Sequence, residues 1–304
     1  MESNLNHYKT WLLFLEEVST YFKEKSFLEV RTPTLVNSGA MESTLNAFKL
    51  EGESFYLPTS PEFSLKKLWL SGLSKDLFEV SKSFRKGEAL GALHLPEFTM
   101  LEFYMAEKTF KGLKAETEDF FKSVFGEVVV KAVHLDEAFA SFTGFKLKPD
   151  SDKAFLKKVM DFHGLNYAED YSWNDLYQVI YLNLIEPLLC KDSLLFLENY
   201  PPQLSALAKV SEKGWALRLE IFYKGIELGN GYDELFCEKE IKSRWLKENA
   251  EREGMGLEKH PVDVELLQLS RETELKQGVG IAIGLERVFS LLFKSGKSIK
   301  VWPF

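Results

Sequence analysis

The sequence predicts an α+β fold built around an antiparallel sheet flanked by helices, and three observations lead to that prediction. Segments with strand-like alternation of apolar and polar residues are joined by hairpin-length turns or by long helical insertions. The regular strand–helix alternation of a doubly wound parallel sheet is missing. The 304 residues are 45% hydrophobic and 28% charged, which is typical of a globular chain with a substantial core.

The first predicted elements are a helix and an extended segment. Five apolar residues recur at helical spacing and predict an amphipathic N-terminal helix: Trp11, Phe14, Leu15, Val18 and Phe22. The chain should then be extended from Phe27 to Pro33, because a residue before proline avoids the α region. Ser60-Pro61-Glu62 predicts an N-cap serine, a proline at the first helical position and an acidic first turn, so a second helix should begin there.

The remaining elements are predicted from the same two patterns: alternation of apolar and polar residues for strands, and apolar residues at helical spacing for helices. Strands are predicted over Leu77–Phe84, Pro96–Tyr104, the two sides of Lys224-Gly225, and Gly278–Gly284. Helices are predicted over Glu107–Phe125, Asp152–His163, Trp173–Leu189, Glu238–Glu253, Val262–Glu274, and from Glu286 onward.

Composition and charge exclude several classes of function. A formal net charge of −8 argues against strong non-specific binding to nucleic acid. No apolar run approaches the ~20 residues that span a bilayer, and the N-terminus lacks the pattern of a secretory signal, so no membrane association is expected. The two cysteines, Cys190 and Cys237, cannot form a disulfide framework, which favours a reducing cytoplasm. The five histidines lack zinc-binding spacing.

One candidate site lies on the strand that follows Pro96. Alternate residues of a strand share a face, so Phe98, Glu102 and Tyr104 should point the same way. An aromatic ring, a carboxylate and a phenol would suit a stacked purine and a bound amine, and Arg85 could contact a phosphate nearby. The alternative is an amphipathic hairpin whose polar face is only solvated.

A second candidate site lies on the hairpin around Lys224-Gly225. A two-residue turn there pairs Phe222 with Glu227 and places Glu220 on the same face as Glu227. Two carboxylates so placed could share a Mg²⁺ ion that also contacts substrate phosphates. The alternative is a pair of exposed acidic residues on an edge hairpin. Asn230, between two glycines, fits a bend where the backbone approaches a ligand.

A third candidate site is the glycine-rich segment that ends at Arg287. Its small residues would let a strand approach a ligand closely. Arg287 stands at the start of the last predicted helix, where anions are already favoured. The alternative is a core strand followed by a surface arginine.

These three segments together resemble the catalytic domain of class II aminoacyl-tRNA synthetases, and they are closest to the lysyl branch. The resemblance covers nearly the whole chain. Residues 27–33 resemble motif 1, Phe84–Tyr104 resembles motif 2, and Gly280–Arg287 resembles motif 3. The resemblance implies the antiparallel-sheet catalytic fold of that class.

Within the lysyl branch, the chain resembles the stand-alone paralogues that ligate (R)-β-lysine to elongation factor P. Motif 1 begins too early for an anticodon-binding domain to precede it, so residues 1–304 are expected to form one catalytic domain. Thr59–Glu62, residues 202–208 and residues 223–228 match this group locally. The resemblance implies ATP as co-substrate, Mg²⁺ as cofactor, elongation factor P as protein substrate, a homodimer, and no tRNA.

The resemblance also implies roles for individual residues. The catalytic pair would be Arg85 and Arg287. ATP would be bound by Arg85, Glu88, His94, Phe98, Glu227 and Arg287. The amino-acid substrate would be bound by Ser60, Glu62, Glu102, Tyr104, Asn230, Tyr232, Glu234 and Ala282. The metal ligands would be Glu220 and Glu227.

The chain departs from the family pattern in the loop after Arg85. Lys86-Gly87 stands where the family usually has Asn-Glu, and Leu95 stands where asparagine is usual. Two alternatives therefore stay open. The enzyme could activate lysine or another amino acid for a different acceptor, or the chain could be an inactive paralogue that binds amino acids.

The first prediction concerns Ala282, which stands where lysyl-tRNA synthetases usually have glycine. The family associates the extra methyl group with a preference for β-lysine over α-lysine. We therefore expect Ala282→Gly to raise activation of α-lysine, measured by ATP–pyrophosphate exchange. An unchanged ratio of α-lysine to β-lysine activation would count against this assignment of the pocket.

Overall fold

The structure, a computed structural model, describes residues 2–87, 91, 94–293 and 301. It divides into two compact units, the first within residues 1–120 and 234–304 and the second within residues 121–233. Within the described ranges, no helix has the length and apolar character that a membrane crossing needs. The expectation of a single catalytic domain over the whole chain stays a prediction.

The first unit combines strands from both ends of the chain. Its strands are β1 (Leu28–Glu29), β2 (Asp76–Phe84), β3 (Glu97–Ala106) and β8 (Gly278–Gly284). Its helices are α1 (Glu2–Glu24), α2 (Glu62–Leu70), the first part of α3 (Phe110–Phe125), α7 (Glu238–Gly254), α8 (Val264–Glu272) and α9 (Leu285–Leu292). The predicted strands and helices of this unit are therefore present, with small shifts at their ends.

Strand β3 holds the centre of this unit's sheet. It pairs with β2 on one side and with β8 on the other, antiparallel in both cases. Glu102 stands opposite Glu79 on β2 and opposite Ala282 on β8, so these three side chains share one face. The edge pair β1–β2 is parallel, which the predicted antiparallel sheet did not include. The reason is the connection, which runs through helix α2 instead of a hairpin.

Aromatic side chains fill the space between α1 and the sheet. Phe22 on α1 has its ring centroid 5.1 Å from that of Phe78 and 4.9 Å from that of Phe103. Phe120 on α3 completes the group, at 5.5 Å from Phe22. All four rings are fully buried. The helical face predicted from residues 11–22 is thus the face that packs on the core.

Helix α2 begins one residue later than its sequence pattern predicts. Pro61 occupies the N-cap position, and no side chain caps the helix there. The Ser60 hydroxyl instead accepts a hydrogen bond from the Glu62 amide at 3.3 Å. The predicted role of Ser60 as the N-cap residue is therefore wrong, although its oxygen still satisfies one amide of the first turn.

The second unit contributes four strands and several helices. Its strands are β4 (Val130–His134), β5 (Leu194–Tyr200), β6 (Ala216–Tyr223) and β7 (Ile226–Asp233). Its helices are the end of α3, α4 (Leu135–Thr143), α5 (Lys153–His163) and α6 (Trp173–Ile180). The sequence did not predict β4, β5 or α4. The pair β4–β5 is parallel, and β5, β6 and β7 are antiparallel neighbours.

The segment after α6 is not the regular helix that its apolar pattern predicts. Tyr181–Ile185 forms a π-helical turn and Glu186–Leu188 a 3₁₀ turn. Pro187 lacks the amide hydrogen that a continuing α-helix would need. Tyr181, the first residue of the π-helical turn, donates a hydrogen bond from its hydroxyl to Glu220 Oε2 at 3.4 Å.

The hairpin between β6 and β7 has the predicted turn. Lys224 and Gly225 both have positive φ, 52° and 77°, and Phe222 pairs with Glu227. The register shifts by one residue beyond that pair, so Glu220 stands opposite Asn230. This β-bulge adds a residue to β7 and increases the local twist.

Candidate active site

Three glutamates, a lysine and a tyrosine form a buried cluster in the first unit. We call it the carboxylate cluster, and its members are Glu62, Lys66, Glu102, Tyr104 and Glu234. Helix α2 supplies the first two, β3 supplies the next two, and Glu234 follows β7 directly in sequence. The sequence predicted all of these side chains as substrate ligands except the lysine.

Lys66 is the cation of the cluster. Its Nζ lies 2.7 Å from Glu62 Oε1 and 2.7 Å from Glu234 Oε2. The lysine side chain is 7% exposed and that of Glu234 is 2% exposed. Burial alone would lower the pKa of Lys66, but the charges of Glu234 and Glu62 raise it above its ordinary value. Lys66 therefore remains protonated and joins α2 to the segment after β7.

Sequence reasoning missed Lys66 because its visible signal is ambiguous. A glutamate and a lysine four residues apart usually form a weak pair on an exposed helix face. Nothing in the local sequence shows that this pair is buried, or that Glu234 approaches it from a distant part of the chain.

The two carboxylate oxygens of Glu102 have different surroundings. The Tyr104 hydroxyl donates a hydrogen bond to Glu102 Oε1 at 2.5 Å. Oε2 is buried and has no hydrogen-bond partner among the described residues. Burial, reinforced by the charge of Glu62, raises the pKa of Glu102 well above its ordinary value. A cationic group placed at Oε2 would stabilise the ionised carboxylate.

Gly280 lets the tyrosine and a glutamate of the cluster approach the sheet. It stands opposite Tyr104 in the β3–β8 ladder. A Cβ atom at position 280 would lie 2.3 Å from the Tyr104 ring and 2.7 Å from Glu234 Oε1. Neither approach is possible for a real side chain. The small residues predicted for this strand are thus required at this point by the packing of the cluster.

A second group of predicted residues collects around the end of β2 and the start of β3. The Arg85 guanidinium lies 5.1 Å from the centroid of the Phe98 ring. Arg287 Nη2 lies 3.2 Å from His94 Nε2. Each contact joins two residues predicted to bind ATP. Arg85 and Phe98 both belong to motif 2, whereas the second contact joins His94 of motif 2 to Arg287 of motif 3. Glu88, the remaining residue predicted for ATP in this loop, lies outside the described residues.

Glu286 fixes the start of α9 against β3. Both of its carboxylate oxygens accept a hydrogen bond from the Thr99 amide, at 2.7 and 2.8 Å. Its side chain is buried. The next residue of the helix is Arg287, so this anchor holds the arginine at the same end of β3 as Phe98. The sequence pattern did not indicate this role for Glu286.

The second unit places a separate polar group on the face of β6 and β7. Arg218 Nη2 lies 2.7 Å from Glu220 Oε1, and Arg218 Nε donates a hydrogen bond to Asn230 Oδ1 at 3.2 Å. Asn230 Nδ2 donates a hydrogen bond to the Tyr232 hydroxyl at 2.8 Å. Asn230 and Tyr232, both predicted as substrate ligands, are thus in contact. Arg218 was not predicted.

Glu220 and Glu227, the two residues predicted to bind the metal, interact electrostatically. Burial raises the pKa of Glu220, the charge of Arg218 opposes that effect, and the charge of Glu227 adds to it. Two neighbouring carboxylates match the small protein contribution that Mg²⁺ needs when phosphates and water complete its shell. Within the described ranges, no larger group of histidine, cysteine and acidic side chains could hold a metal ion.

Comparisons with known proteins show which proteins this chain is similar to. The family model of class II tRNA synthetases (D, K and N) matches residues 6–304. The elongation factor P–(R)-β-lysine ligase homolog of Aquifex aeolicus (strain VF5) is 33% identical over 287 residues, which cover 92% of this chain and 93% of that protein. The elongation factor P–(R)-β-lysine ligase of Buchnera aphidicola subsp. Schizaphis graminum (strain Sg) is 30% identical over 305 residues, covering 95% and 92%.

The chain belongs to the class II tRNA synthetase family of the D, K and N type. Within that family it belongs to the group of its elongation factor P ligase relatives, so it is a ligase that forms carbon–nitrogen bonds. The resemblance inferred from the three motifs is confirmed, as is the α+β fold class.

The second prediction concerns Lys66. In Lys66→Met, the buried Glu234 and the mostly buried Glu62 lose their common counter-ion. Removing one partner of a buried ion pair costs about 3–5 kcal/mol, and we expect a loss of that size in the free energy of unfolding. Urea denaturation at pH 7 would measure it.

Lys67→Met is the matched control, because it makes the same change at the next position of α2. Lys67 Nζ lies 3.1 Å from Asp263 and 2.9 Å from Glu265, and its side chain is 24% exposed. Because Lys67 is partly accessible to water and its partner Glu265 is 71% exposed, we expect a smaller loss than in Lys66→Met, about 1 kcal/mol. Equal losses in the two variants would contradict the prediction that the buried salt bridge of Lys66 contributes more to the free energy of unfolding than the ion pairs of Lys67.

Proposed function

We propose that this protein activates (R)-β-lysine with ATP and transfers the β-lysyl group to the ε-amino group of a lysine on elongation factor P. The observation that carries the proposal is the buried Glu102 Oε2, which has no hydrogen-bond partner among the described residues. Buried polar atoms are normally paired, and an ammonium group of the substrate would supply the partner. The names of the two relatives support the choice of substrate and acceptor.

The charges of the carboxylate cluster match this substrate. (R)-β-lysine carries two ammonium groups and one carboxylate. The cluster contains three carboxylates and one lysine, so two negative charges remain when Glu102 is ionised. In the proposed complex, Glu62, Glu102 and Glu234, with the Tyr104 hydroxyl, bind the two ammonium groups.

The other residues predicted to bind the amino acid keep their roles in this proposal. Asn230 and Tyr232 would bind its carboxylate, since their side chains are already ordered by mutual hydrogen bonding. Ala282 stands opposite Glu102 in the β3–β8 ladder, so its methyl group would shape the floor of the amine pocket. Ser60, which precedes helix α2, would border the same pocket.

ATP would be bound by the aromatic and cationic groups of motifs 2 and 3. Phe98 and Arg287 would stack on the two faces of adenine, because aromatic rings and guanidinium groups both present flat surfaces. Arg85 would hold the α-phosphate and stabilise the charge that develops on it in the transition state. His94 would contact the phosphate tail. Glu88 keeps its predicted role in ATP binding as part of this proposal.

Glu220 and Glu227 would hold Mg²⁺, with Glu227 also ordering the nucleotide. When bound, Mg²⁺ neutralises phosphate charge. Arg218 Nη2 lies 2.7 Å from Glu220 Oε1, so the metal would bind at Oε2, which it would share with the Tyr181 hydroxyl at 3.4 Å. The bulge places Asn230 instead of Gly229 opposite Glu220.

The reaction would take place in two steps. A carboxylate oxygen of (R)-β-lysine attacks the α-phosphorus of ATP, the bond to the bridging oxygen breaks, and pyrophosphate leaves. The ε-amino nitrogen of the acceptor lysine then attacks the carbonyl carbon of the adenylate. AMP leaves with the carbon–oxygen bond pair, the amine proton passes to solvent, and an amide remains. Alignment and charge neutralisation suffice, so no nucleophilic side chain is needed.

The proposal includes the partners that the family suggests. Elongation factor P is the protein substrate, tRNA is not needed, and the enzyme acts in the cytoplasm as a homodimer. Motif 1 would form part of the dimer surface, and two hydrogen bonds hold its backbone in place. The Val30 amide donates to Phe78 O at 3.0 Å, and the Thr32 amide donates to Glu79 Oε1 at 2.8 Å. These hydrogen bonds tie the segment before Pro33 to strand β2.

The third prediction tests the activation step. With Mg²⁺ and without tRNA, we expect ATP–pyrophosphate exchange to be fastest with (R)-β-lysine among the amino acids tried. Arg85→Ala should lower exchange by about 10²–10³-fold, the usual effect of removing a donor to developing charge. Arg271→Ala, which removes an arginine that is 60% exposed on α8, is the matched control and should leave the rate unchanged.

The outcomes of this assay separate the competing functions. Exchange with (R)-β-lysine, followed by a mass increase on elongation factor P, supports the proposal. Exchange with a different amino acid would keep the adenylation chemistry and reject the proposed substrate. The absence of exchange with every amino acid would reject the activity and favour a binding paralogue.

The fourth prediction follows from the raised pKa of Glu102. A raised carboxyl pKa means that the free protein retains a proton at pH values where an ordinary glutamate is ionised. Binding of an ammonium group favours the carboxylate and lowers that pKa, so a proton is released. We expect release of up to about one proton per bound (R)-β-lysine at pH values below the raised pKa of Glu102, and tighter binding as pH rises through that pKa toward the pKa of the substrate amines.

Calorimetric titration in two buffers of different ionisation enthalpy measures the released proton, and Glu102→Gln should abolish the release. Glu79→Gln is the matched control. Glu79 is also buried and its pKa is also raised by burial, but both of its oxygens accept hydrogen bonds from Thr32, at 2.8 and 2.7 Å. Proton release that persists in Glu102→Gln would reject this role for Glu102.

A further inference from the structure

A basic cavity lies in the first unit, apart from every residue assigned above to ATP, amine or metal. Its volume is about 330 Å³. Four cationic side chains and one carboxylate are among the residues that line it: Lys49, Lys86, Arg252, Lys259 and Glu258. The chain as a whole has a net charge of −8, so this excess of positive charge is local and not a consequence of composition.

Arg252 contributes a buried positive charge without a carboxylate partner. The residue is 4% exposed. Within the described ranges, its guanidinium donates hydrogen bonds to neutral oxygens: Glu258 O at 2.7 Å, Ser43 O at 2.8 Å, Leu45 O at 2.9 Å and Asn46 Oδ1 at 3.1 Å. Burial lowers its pKa, and the charge of Glu258 offsets this only in part. Its charge therefore remains largely uncompensated within the protein.

Lys86 brings a second cation to the cavity. Its amide donates to Asn46 O at 2.8 Å, which fixes the backbone of the loop at the cavity wall. Across the part of the chain that the structure describes, its ammonium group forms no ion pair. The lysine follows Arg85 directly, at the position where the family usually has asparagine. The proposed role of motif 2 in ATP binding therefore gives no reason for a lysine at this position.

The other two lysines of the cavity have partners that a ligand could replace. Lys49 Nζ lies 2.5 Å from Glu258 Oε1, but the two side chains are 44% and 65% exposed. Lys259 Nζ lies 2.8 Å from Glu253 Oε2, with side chains 52% and 67% exposed. Exposed pairs contribute at most about 1 kcal/mol, so both lysines can turn to another anion at little cost.

His260 gives the cavity a neutral hydrogen-bonding wall. Burial and the charge of Arg252 lower its pKa below the ordinary value, so the ring is uncharged at neutral pH. Its Nε2 lies 2.9 Å from Leu45 O. The side chain therefore frames the loop that carries Lys49 and adds no charge of its own.

We propose that this cavity is a binding site for a phosphate-class oxyanion, and that inorganic pyrophosphate is the free ligand that fits it best. Lysine ammonium groups are point-charge ligands for phosphate oxygens, and a fixed guanidinium charge behind them favours multiple negative charges. At roughly 30 Å³ per water molecule, the cavity has room for a two-phosphate ion and several waters, which is more than a single phosphate needs.

The site does not depend on the proposed activity, and a binding experiment without ATP or amino acid tests it. Pyrophosphate and orthophosphate are titrated calorimetrically into the double variant Arg85→Ala/Arg287→Ala, which lacks the proposed ATP arginines. We expect pyrophosphate to bind with one site per chain and at least tenfold more tightly than orthophosphate. Adding Lys49→Gln and Lys86→Gln should weaken pyrophosphate binding at least tenfold.

The matched control adds Lys75→Gln and Lys242→Gln to the same background, which makes the same change in net charge at exposed sites. Lys75 pairs with Glu107 at 2.7 Å, with side chains 73% and 68% exposed, as Lys49 does with Glu258. This control should change the affinity less than twofold. Equal weakening in the two sets would overturn the site, as would the absence of pyrophosphate binding in the Arg85→Ala/Arg287→Ala background.

Discussion

The ammonium group of Lys66 lies 2.7 Å from a carboxylate of its own helix and 2.7 Å from the carboxylate of Glu234, which comes from a distant part of the chain. In a buried site these charges can exist only together, because each alone would carry a large desolvation cost. The bridge therefore requires α2, strand β3 and the segment after β7 to meet. The bridging lysine allows the carboxylate cluster to be both buried and highly charged.

Because of this salt bridge, the three glutamates of the carboxylate cluster differ in how their charges are balanced. Glu62 and Glu234 already have a cation, whereas Glu102 has only the Tyr104 hydroxyl on one oxygen. The cluster consequently keeps one carboxyl group whose charge depends on what binds next to it. This arrangement suits a substrate that carries more than one ammonium group. The close packing of the carboxylate cluster also explains why residue 280 is glycine, since a methyl group there would displace Tyr104 and Glu234.

Prediction from sequence succeeded where local periodicity and turn chemistry decide the structure. The Lys224-Gly225 turn has the positive φ values that its composition favours, and strand β8 has the predicted bounds, Gly278–Gly284. Prediction from sequence failed where contacts between distant segments determine the structure. Strands β4 and β5 pair side by side across a long connection, and Pro187 ends a helix that its apolar pattern would have continued. The bulge that sets Glu220 opposite Asn230 likewise has no local signal.

The sequence by itself determined the class of enzyme, because three ordered motifs carry residue types whose chemistry is specific even without coordinates. It also determined which face of β3 is polar, since a strand alternates with a period of two. Only the tertiary structure decided that Lys66 belongs to the carboxylate cluster, that Glu102 keeps an unpaired oxygen, and that Arg252 carries a buried, largely uncompensated charge. Burial and counter-charge depend on residues that are far apart in the chain, and local pattern contains no information about them.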